Sequence, residues 1–504
     1  MADDPPIDPA APRATDFAEW RKDKQPSEVV DVENTISPKA DDIPPNGGYG
    51  WVCVACCFFI NGHTWGLNSS YAVFLSYYLS HNYFPGTSDL TYAFIGGLSI
   101  SQALLIAPLG TWVIHVFGTR FCLHLGVFFE TLSFVGASFA TKQWHIILAQ
   151  GLCFGWGMGF LFVASVGIIP QWFTTRRSFA NAMTASGSGL GGLMYSLATQ
   201  SMIDSLGLPW TFRILGIVTF AVNLTAANLL RDRNVQVGSR HKAFDIALLK
   251  RPEFLLLQGW SWFSMLGYVI LIFSLPAYAR SIGLTAKQGS ILGAILNLGQ
   301  MLGRPFIGLA SDRWGRLNLA TLFTFLCGVC CFTFWIPAEA ASSPMGLLLF
   351  FAVVGGSLAG TFWCTIGAVG VEVVGLKDLP SGLSLTWVLM VPPTTFAEPI
   401  ALLLRRKGAE WIYLPPQVFT ACMYVGGALC IWVVRGWKVG ELEELERRQE
   451  MQRSQEQSVL RTEKHVTGIG QDQDPLERAR SQSISAAGWN SRDLLRRMVA
   501  WKIV

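Results

Sequence analysis

The stretch GQMLGRPFIGLASDRWGRLN, running from Gly299 to Asn318, decides how the rest of the chain is read. It sets one arginine, Arg304, inside an otherwise uncharged apolar run and closes that run with a charged turn. At roughly 1.5 Å of rise per residue, Arg304 stands about 12 Å up a helix from Asp312. That is too deep for easy snorkelling to the surface. A guanidinium near the centre of a membrane helix costs about 2.5–3.5 kcal/mol to insert even on the translocon scale, so its helix face should meet water, a counter-charge or a ligand. The reading is an anion site; the alternative is a structural arginine paired to a neighbouring helix.

The composition around this stretch supports a membrane setting. Half of the 504 residues are hydrophobic (51%) and only 14% are charged, which suits a membrane protein better than a soluble domain. The apolar residues come in blocks of about twenty with at most one charge, long enough for a helix to cross roughly 30 Å of hydrocarbon. About twelve such spans are expected, giving an all-α membrane protein. The net charge of +4 averages over tails and loops and identifies no partner. No nucleic-acid signature is present. Cys53, Cys56 and Cys57 have no carboxylates nearby and read as small buried hydrophobes, as do Cys330 and Cys331, so no metal or cofactor is expected. The triplets Asn68-Ser69-Ser70 and Asn223-Leu224-Thr225 fall inside apolar spans and read as unmodified. No nucleophile–base pair or phosphate loop suggests an enzyme.

In chain order, residues 1–48 form a polar, Pro-rich tail without a cleavable signal, expected to be disordered and cytosolic. Residues 49–230 hold six spans, 231–252 a basic cytosolic loop, 253–435 six more spans, and 436–504 a second cytosolic tail. This six-plus-six division is the pattern of two pseudo-repeated halves. His63, Asn68, Ser69 and Ser70 make the first span unusually polar at its middle, which favours a cavity over lipid. Glu130 in the third span and Glu398 in TTFAEPIAL are candidate proton carriers, helix pairing being the alternative for Glu130; Glu372 lies near a polar turn. GLCFGWGMGF in the fourth span reads as close helix packing, and FANAMTASGSGLGGLMYS in the fifth as a close-packed helix bordering a pore. Basic loops at Arg176-Arg177, 231–251, Arg313 with Arg316, and Lys377 place both termini in the cytosol; Arg405, Arg406 and Lys407 are the exception. The tail pairs Glu443 with Arg447 and Glu444 with Arg448 at i,i+4 spacing, suggesting a solvated helix. SRDLLRRMVAWKIV, with Leu494, Leu495, Met498 and Trp501, is expected either on the inner leaflet or without fixed structure.

GLASDRWGR, Gly308 to Arg316, matches the G-x-x-x-D-x-x-G-R loop signature through Gly308, Asp312, Gly315 and Arg316, and so resembles the major facilitator superfamily. The implied fold is two six-helix halves, with the Asp312 turn acting as a gating latch. The corresponding turn of the first half, TWVIHVFGTR, has His115 where the acid would stand. A narrower resemblance is to the monocarboxylate transporter family, above all its fungal members. It is carried by PPNGGYGW, QWFTTRRSFANAMTASGSGLGG, GRPFIGLASD, GLKDLPSGLSLTW and TTFAEPIAL, across Asn46 to Arg435.

That resemblance implies substrate-carboxylate binding by Arg304. Ser69 stands where animal members have a lysine, and Gln300 where they have an aspartate one turn before the arginine. Gln300 takes up no proton, so either Glu130 or Glu398 couples protons or the carrier is a uniporter. The fourth span has Ile147 before Gln150-Gly151 and lacks the R-x-x-Q-G signature of proton-driven drug exporters. The expected function is a secondary transporter of a small organic anion, with Arg304, Gln300, Asn68 and Ser69 around the substrate and protons as the candidate co-substrate. The alternatives are export of a larger fungal metabolite or facilitative uniport. The expected host is the plasma membrane, with a vacuolar or other internal membrane as the alternative.

Overall fold

The computed structural model describes residues 44–81, 84, 89–239, 245–406, 408, 411–463, 491–499 and 502. The expectations for the N-terminal tail up to residue 43, for 464–490, and for Arg240, Lys242, Lys407 and Trp501 lie outside the described residues. Helices form twelve membrane-length columns: α1 (50–81), α2 (89–117), α3 (Thr119–Ser138), α4 (Gln143–Trp172), α5 (Arg177–Leu206), α6 (Leu208–Leu229), α7 (Pro252–Ser281), α8 (Ala286–Trp314), α9 (Arg316–Glu339), α10 (Pro344–Val374), α11 (Leu379–Leu404) and α12 (Leu414–Glu463).

Among the described residues, eight of these are long and apolar enough to cross a bilayer, and α2, bent by 41° after Leu105, makes a ninth. The three that fall short are α1, α5 and α8. They are diluted by Gly, Ser, Asn and Gln, and those residues face one another at the molecular centre rather than lipid. Large apolar side chains such as Phe128, Leu197, Ile217, Phe306, Phe396 and Leu403 stay exposed on the outer surface, as a lipid-facing belt requires.

The pseudo-repeat is visible in the backbone. Gly118 (φ +84°) turns α2 into α3 and Gly315 (φ +99°) turns α8 into α9, each a one-residue corner in a conformation that side chains disfavour. Proline at the first helical turn starts α6, α7, α10 and α11 without sacrificing a backbone donor.

Helix α5 is wedged between α1 and α8, and glycine makes both contacts possible. Gly66 of α1 faces Gly191 so closely that a Cβ would come 2.7 Å from the Gly191 Cα, and Gly187 abuts the Phe58 carbonyl. On the opposite side, a Cβ on Gly189 would meet the Met301 nitrogen at 2.8 Å, and one on Gly308 the Ala182 methyl at 2.6 Å. The fifth helix therefore joins the two halves through its small residues. In the fourth helix, Gly155 and Gly159 face α2 and Gly157 faces the Glu130 backbone of α3, so GLCFGWGMGF is packing.

Helix α1 is not uniform. It is α-helical over Gly50–Asn61 and Tyr71–His81, with a π-helical turn at Gly62–Gly66 and a break at Ser70. The polar patch of the first span coincides with this disturbed stretch, a common accompaniment of functional sites in helices.

At its far end α12 runs on into the tail, and α13 (Ser491–Val499) docks on it. Buried Arg435 donates to the Arg497 and Met498 carbonyls at 3.0 and 2.9 Å, and the Trp432 indole donates to Met498 at 2.8 Å. Glu444 pairs with Arg448 as the spacing predicts, but Glu443 turns to Arg497 at 2.9 Å instead of Arg447. The tertiary partner wins because Arg497 is buried while Arg447 is exposed to water.

Candidate functional site

Between the halves lies a cavity of about 360 Å³. Along α5 its lining extends from Asn181 to Gln200, roughly 28 Å of helix. One end reaches exposed Gln200 and Ser290; the other stops at the level of Asn181 and Gly367, short of Asp312. Arg304 is the one charged residue among the described residues lining it.

The guanidinium is almost fully buried, at 2% exposure. Its Nη1 donates to the Ala185 carbonyl at 2.5 Å and to Ser188 Oγ at 2.6 Å, both on α5 and hence across the interface between halves. Its Nη2 donates to Gln300 Oε1 at 2.5 Å and makes a long contact of 3.5 Å to the Tyr268 hydroxyl. Tyr268 in turn donates to Gln300 Oε1 at 2.8 Å, so the glutamine is fixed from two sides. Nε has no partner. It rests over Gly360, where a Cβ would intrude to 2.6 Å, so only glycine at the bend of α10 admits this side chain. Every acceptor around the guanidinium is neutral, and among the described residues no carboxylate lies in the cavity wall.

Asn68 and Ser69 line the same cavity from α1. The Asn68 carbonyl oxygen accepts from Ser99 at 2.9 Å and Ser69 donates to the Trp65 carbonyl at 3.2 Å, so neither bonds Arg304 itself. Glu130 and Glu398 are placed elsewhere. Glu130 is buried between α3 and α6, accepting from the Asn223 amide at 2.6 Å. Glu398 is half-buried and accepts from Ser274 at 3.1 Å on the side where α11 meets α7. Of the six residues expected at the transport site, four share the cavity and these two do not.

Beyond the cavity end marked by Asn181 and Gly367, the Asp312 turn joins the two halves. Asp312 accepts the backbone N–H of Ser178 at 2.9 Å and of Phe179 at 2.8 Å, so a carboxylate of the second half caps the first turn of α5 in the first half. Gly308 allows the approach, and Ser311 donates to Ser178 at 3.2 Å. Arg316 bridges the Glu372 carboxylate and the Thr174 carbonyl, and Lys438 of α12 stands 3.9 Å from Glu372. These contacts thus span the two halves. His115 on the matching corner of the first half is exposed, so the charge arrangement is one-sided.

An aromatic layer also crosses between the halves beside the cavity. Phe162 of α4 packs on Trp387 of α11 at 5.0 Å, Trp65 on Trp363 at 5.2 Å, and Trp363 stacks on Trp387. Trp65, Phe162 and Trp363 line the cavity, while Trp387 lines a small hollow on the latch side. Sequence reasoning missed Trp363, Tyr268, Ser188 and Asn297. Asn297, one turn before Gln300 and 3.4 Å from its amide, was findable as a second amide deep in an apolar run. For Trp363 the sequence carried no signal distinguishing it from a core tryptophan.

Comparison with known proteins adds lineage to this geometry. The Major Facilitator Superfamily sequence model matches residues 54–390. The probable transporter MCH2 of Saccharomyces cerevisiae is 35% identical over 425 residues, covering 81% of this chain and 89% of its own. The fujikurins efflux protein of Gibberella fujikuroi is 26% identical over 418 residues, covering 81% and 88% respectively. In fold the chain is similar to the proton:xylose symporter XylE bound to 6-bromo-6-deoxy-D-glucose, with a TM-score of 0.58 over 76% of this chain and 95% of that one, at 12% identity.

Proposed function

Because the chain belongs to the major facilitator superfamily as a secondary transporter of fungal type, we propose that its cargo is a small organic anion of the monocarboxylate kind. One observation carries this: a buried guanidinium with only neutral partners, in the wall of a cavity between the halves. An isolated buried cation is unfavourable unless something answers its charge, and a carboxylate entering the cavity does so. Gln300, Tyr268, Asn68 and Ser69 offer hydrogen bonds around the anion, and Trp65 and Trp363 offer apolar faces to its carbon skeleton. The two halves reorient about this site, with the Asp312 latch holding one end shut.

In this reading the basic loops favour a cytosolic latch end, with the cavity opening to the opposite side of the plasma membrane or an internal one. Glu130 and Glu398 act in this reading as helix ties rather than cavity acids. A second reading, export of a larger metabolite, draws on the aromatic lining and on the relative named for fujikurins efflux. Uptake into proteoliposomes across a panel of radiolabelled compounds separates the two. The expected result is uptake of short monocarboxylates and none of neutral aromatic compounds of similar size; the reverse pattern overturns the proposal in favour of the second reading.

A further inference from the structure

Nine residues make a helix too short to persist alone in water, so α13 (Ser491–Val499) owes its order to the seat it occupies. That seat is built for the end of a helix. The last four carbonyls of α13 have no partner within the helix, and buried Arg435 of α12 donates to two of them, Arg497 and Met498, at 3.0 and 2.9 Å. The Trp432 indole adds a second donor to Met498, at 2.8 Å. Gly436 makes room for the apolar face, since a Cβ there would come 2.6 Å from Met498 Cγ and 3.3 Å from Leu494 Cδ1. Ion pairs of Arg497 with Glu443 and of Lys502 with Glu446 flank these contacts.

The seat reaches beyond α12. Arg435 Nε donates to Asn318 Oδ1 at 2.5 Å, and the Asn318 amide donates to the Lys502 carbonyl at 2.9 Å, so α9, α12 and the chain just past α13 meet at one asparagine. Asn318 lies in the first turn of α9, two residues from Arg316. Arg316 reaches the Thr174 carbonyl of the first half while bonded to Glu372. Glu372 is itself held from α12, because Lys438, three residues beyond Arg435, donates to its backbone carbonyl at 2.8 Å. The two helices that form the seat of α13 therefore also carry the groups that aim Arg316 at the other half.

We propose that α13 is an autoinhibitory strap: seated, it fixes α9 against α12 so that Arg316 keeps its bond to Thr174 and the latch end stays shut; unseated, it lets that end open. Arg435 recognises carbonyls that only a formed helix end presents, so seating and helix formation are one event and the strap has two states. It governs how often the carrier opens at the latch, whatever the carrier moves.

The test uses the purified full chain with a protease recognition sequence inserted within 464–490 and spin labels at Thr175 and Arg313, on the two sides of the latch. Cutting and washing then remove the helix from protein that has already folded, and mass spectrometry records its departure. Leu494→Asp with Met498→Asp weakens the apolar side of the seat, so that the cut helix leaves readily. Loss of the helix is expected to raise the population with the longer, open-latch distance at least about fivefold. Arg496→Ala, on the exposed side of α13, is expected to leave that population unchanged. An unaltered distance distribution after the helix has gone overturns the strap. In an Arg316→Gln background, removing the helix is expected to change the open population by less than about twofold; a full fivefold rise there overturns the route through Arg316. Should the double aspartate variant misfold, the native chain, cut and washed until the helix is gone, decides by the same distances. No cargo is added, so the result is independent of the anion assigned to Arg304.

Discussion

Replacing Arg304 by lysine is expected to lower carboxylate transport about a hundredfold, and replacing it by alanine to bring it to the protein-free background. The lysine variant keeps the charge, so the loss isolates geometry. In the native site one planar group reaches the Ala185 carbonyl and Ser188 Oγ with Nη1 and Gln300 Oε1 with Nη2, spanning α5 and α8 at once. An ammonium on a flexible stem presents its donors from a single point and cannot hold both sides while also meeting a planar carboxylate. A charge-assisted hydrogen bond is worth about 1.5–3 kcal/mol, and losing one or two accounts for the expected factor at 1.4 kcal/mol per tenfold. Initial uptake rates, normalised to protein inserted in the liposomes, check it. A lysine variant that transports at more than about half the native rate would show that charge alone suffices.

The second large effect is expected at the latch. Asp312→Ala removes both acceptors from the Ser178 and Phe179 N–H groups, which then have no partner at an interface between halves. Each such bond to a charged acceptor contributes about 1.5–3 kcal/mol. Their loss is expected to raise the population open at the latch end by at least about tenfold. Spin labels at Thr175 and Arg313, both exposed and on opposite sides of the latch, report the separation directly. The native protein is expected to give one short distance and the variant an added longer one. An unchanged distance distribution would mean that the Arg316–Thr174 and Ser311–Ser178 bonds, with the aromatic layer of Phe162, Trp363 and Trp387, hold this end closed without Asp312.

What could be read from the chain divides along physical lines. The place of Arg304 inside a long helix and the corner at Gly315 are consequences of local spacing, and both are visible in α8. The small residues of α5 were legible as close packing, but not that Gly187 and Gly191 face α1 while Gly189 faces α8, since neighbours on a helix reveal its faces without naming what covers them. The same limit hid the direction of Asp312: the signature marks a carboxylate at a helix corner, and only the tertiary arrangement points it at the α5 N-terminus. Glu130 and Glu398 looked alike as acids in apolar runs. Their placement against Asn223 and Ser274, away from the cavity, depends on helix rotation that no single span encodes. The C-terminal segment read as either an inner-leaflet surface or a stretch without fixed structure; instead 491–499 is a helix seated on Arg435 and Trp432, because α12 continues into the tail and offers it a partner.

The measurement that bears most directly on the central assignment is calorimetric titration of the purified protein with a monocarboxylate and, separately, with its primary amide, repeated on Arg304→Gln. The account predicts that the native protein binds the carboxylate and ignores the amide, and that the variant binds neither. Native protein that binds acid and amide equally well, or an Arg304→Gln protein that binds the carboxylate with native affinity, would contradict it.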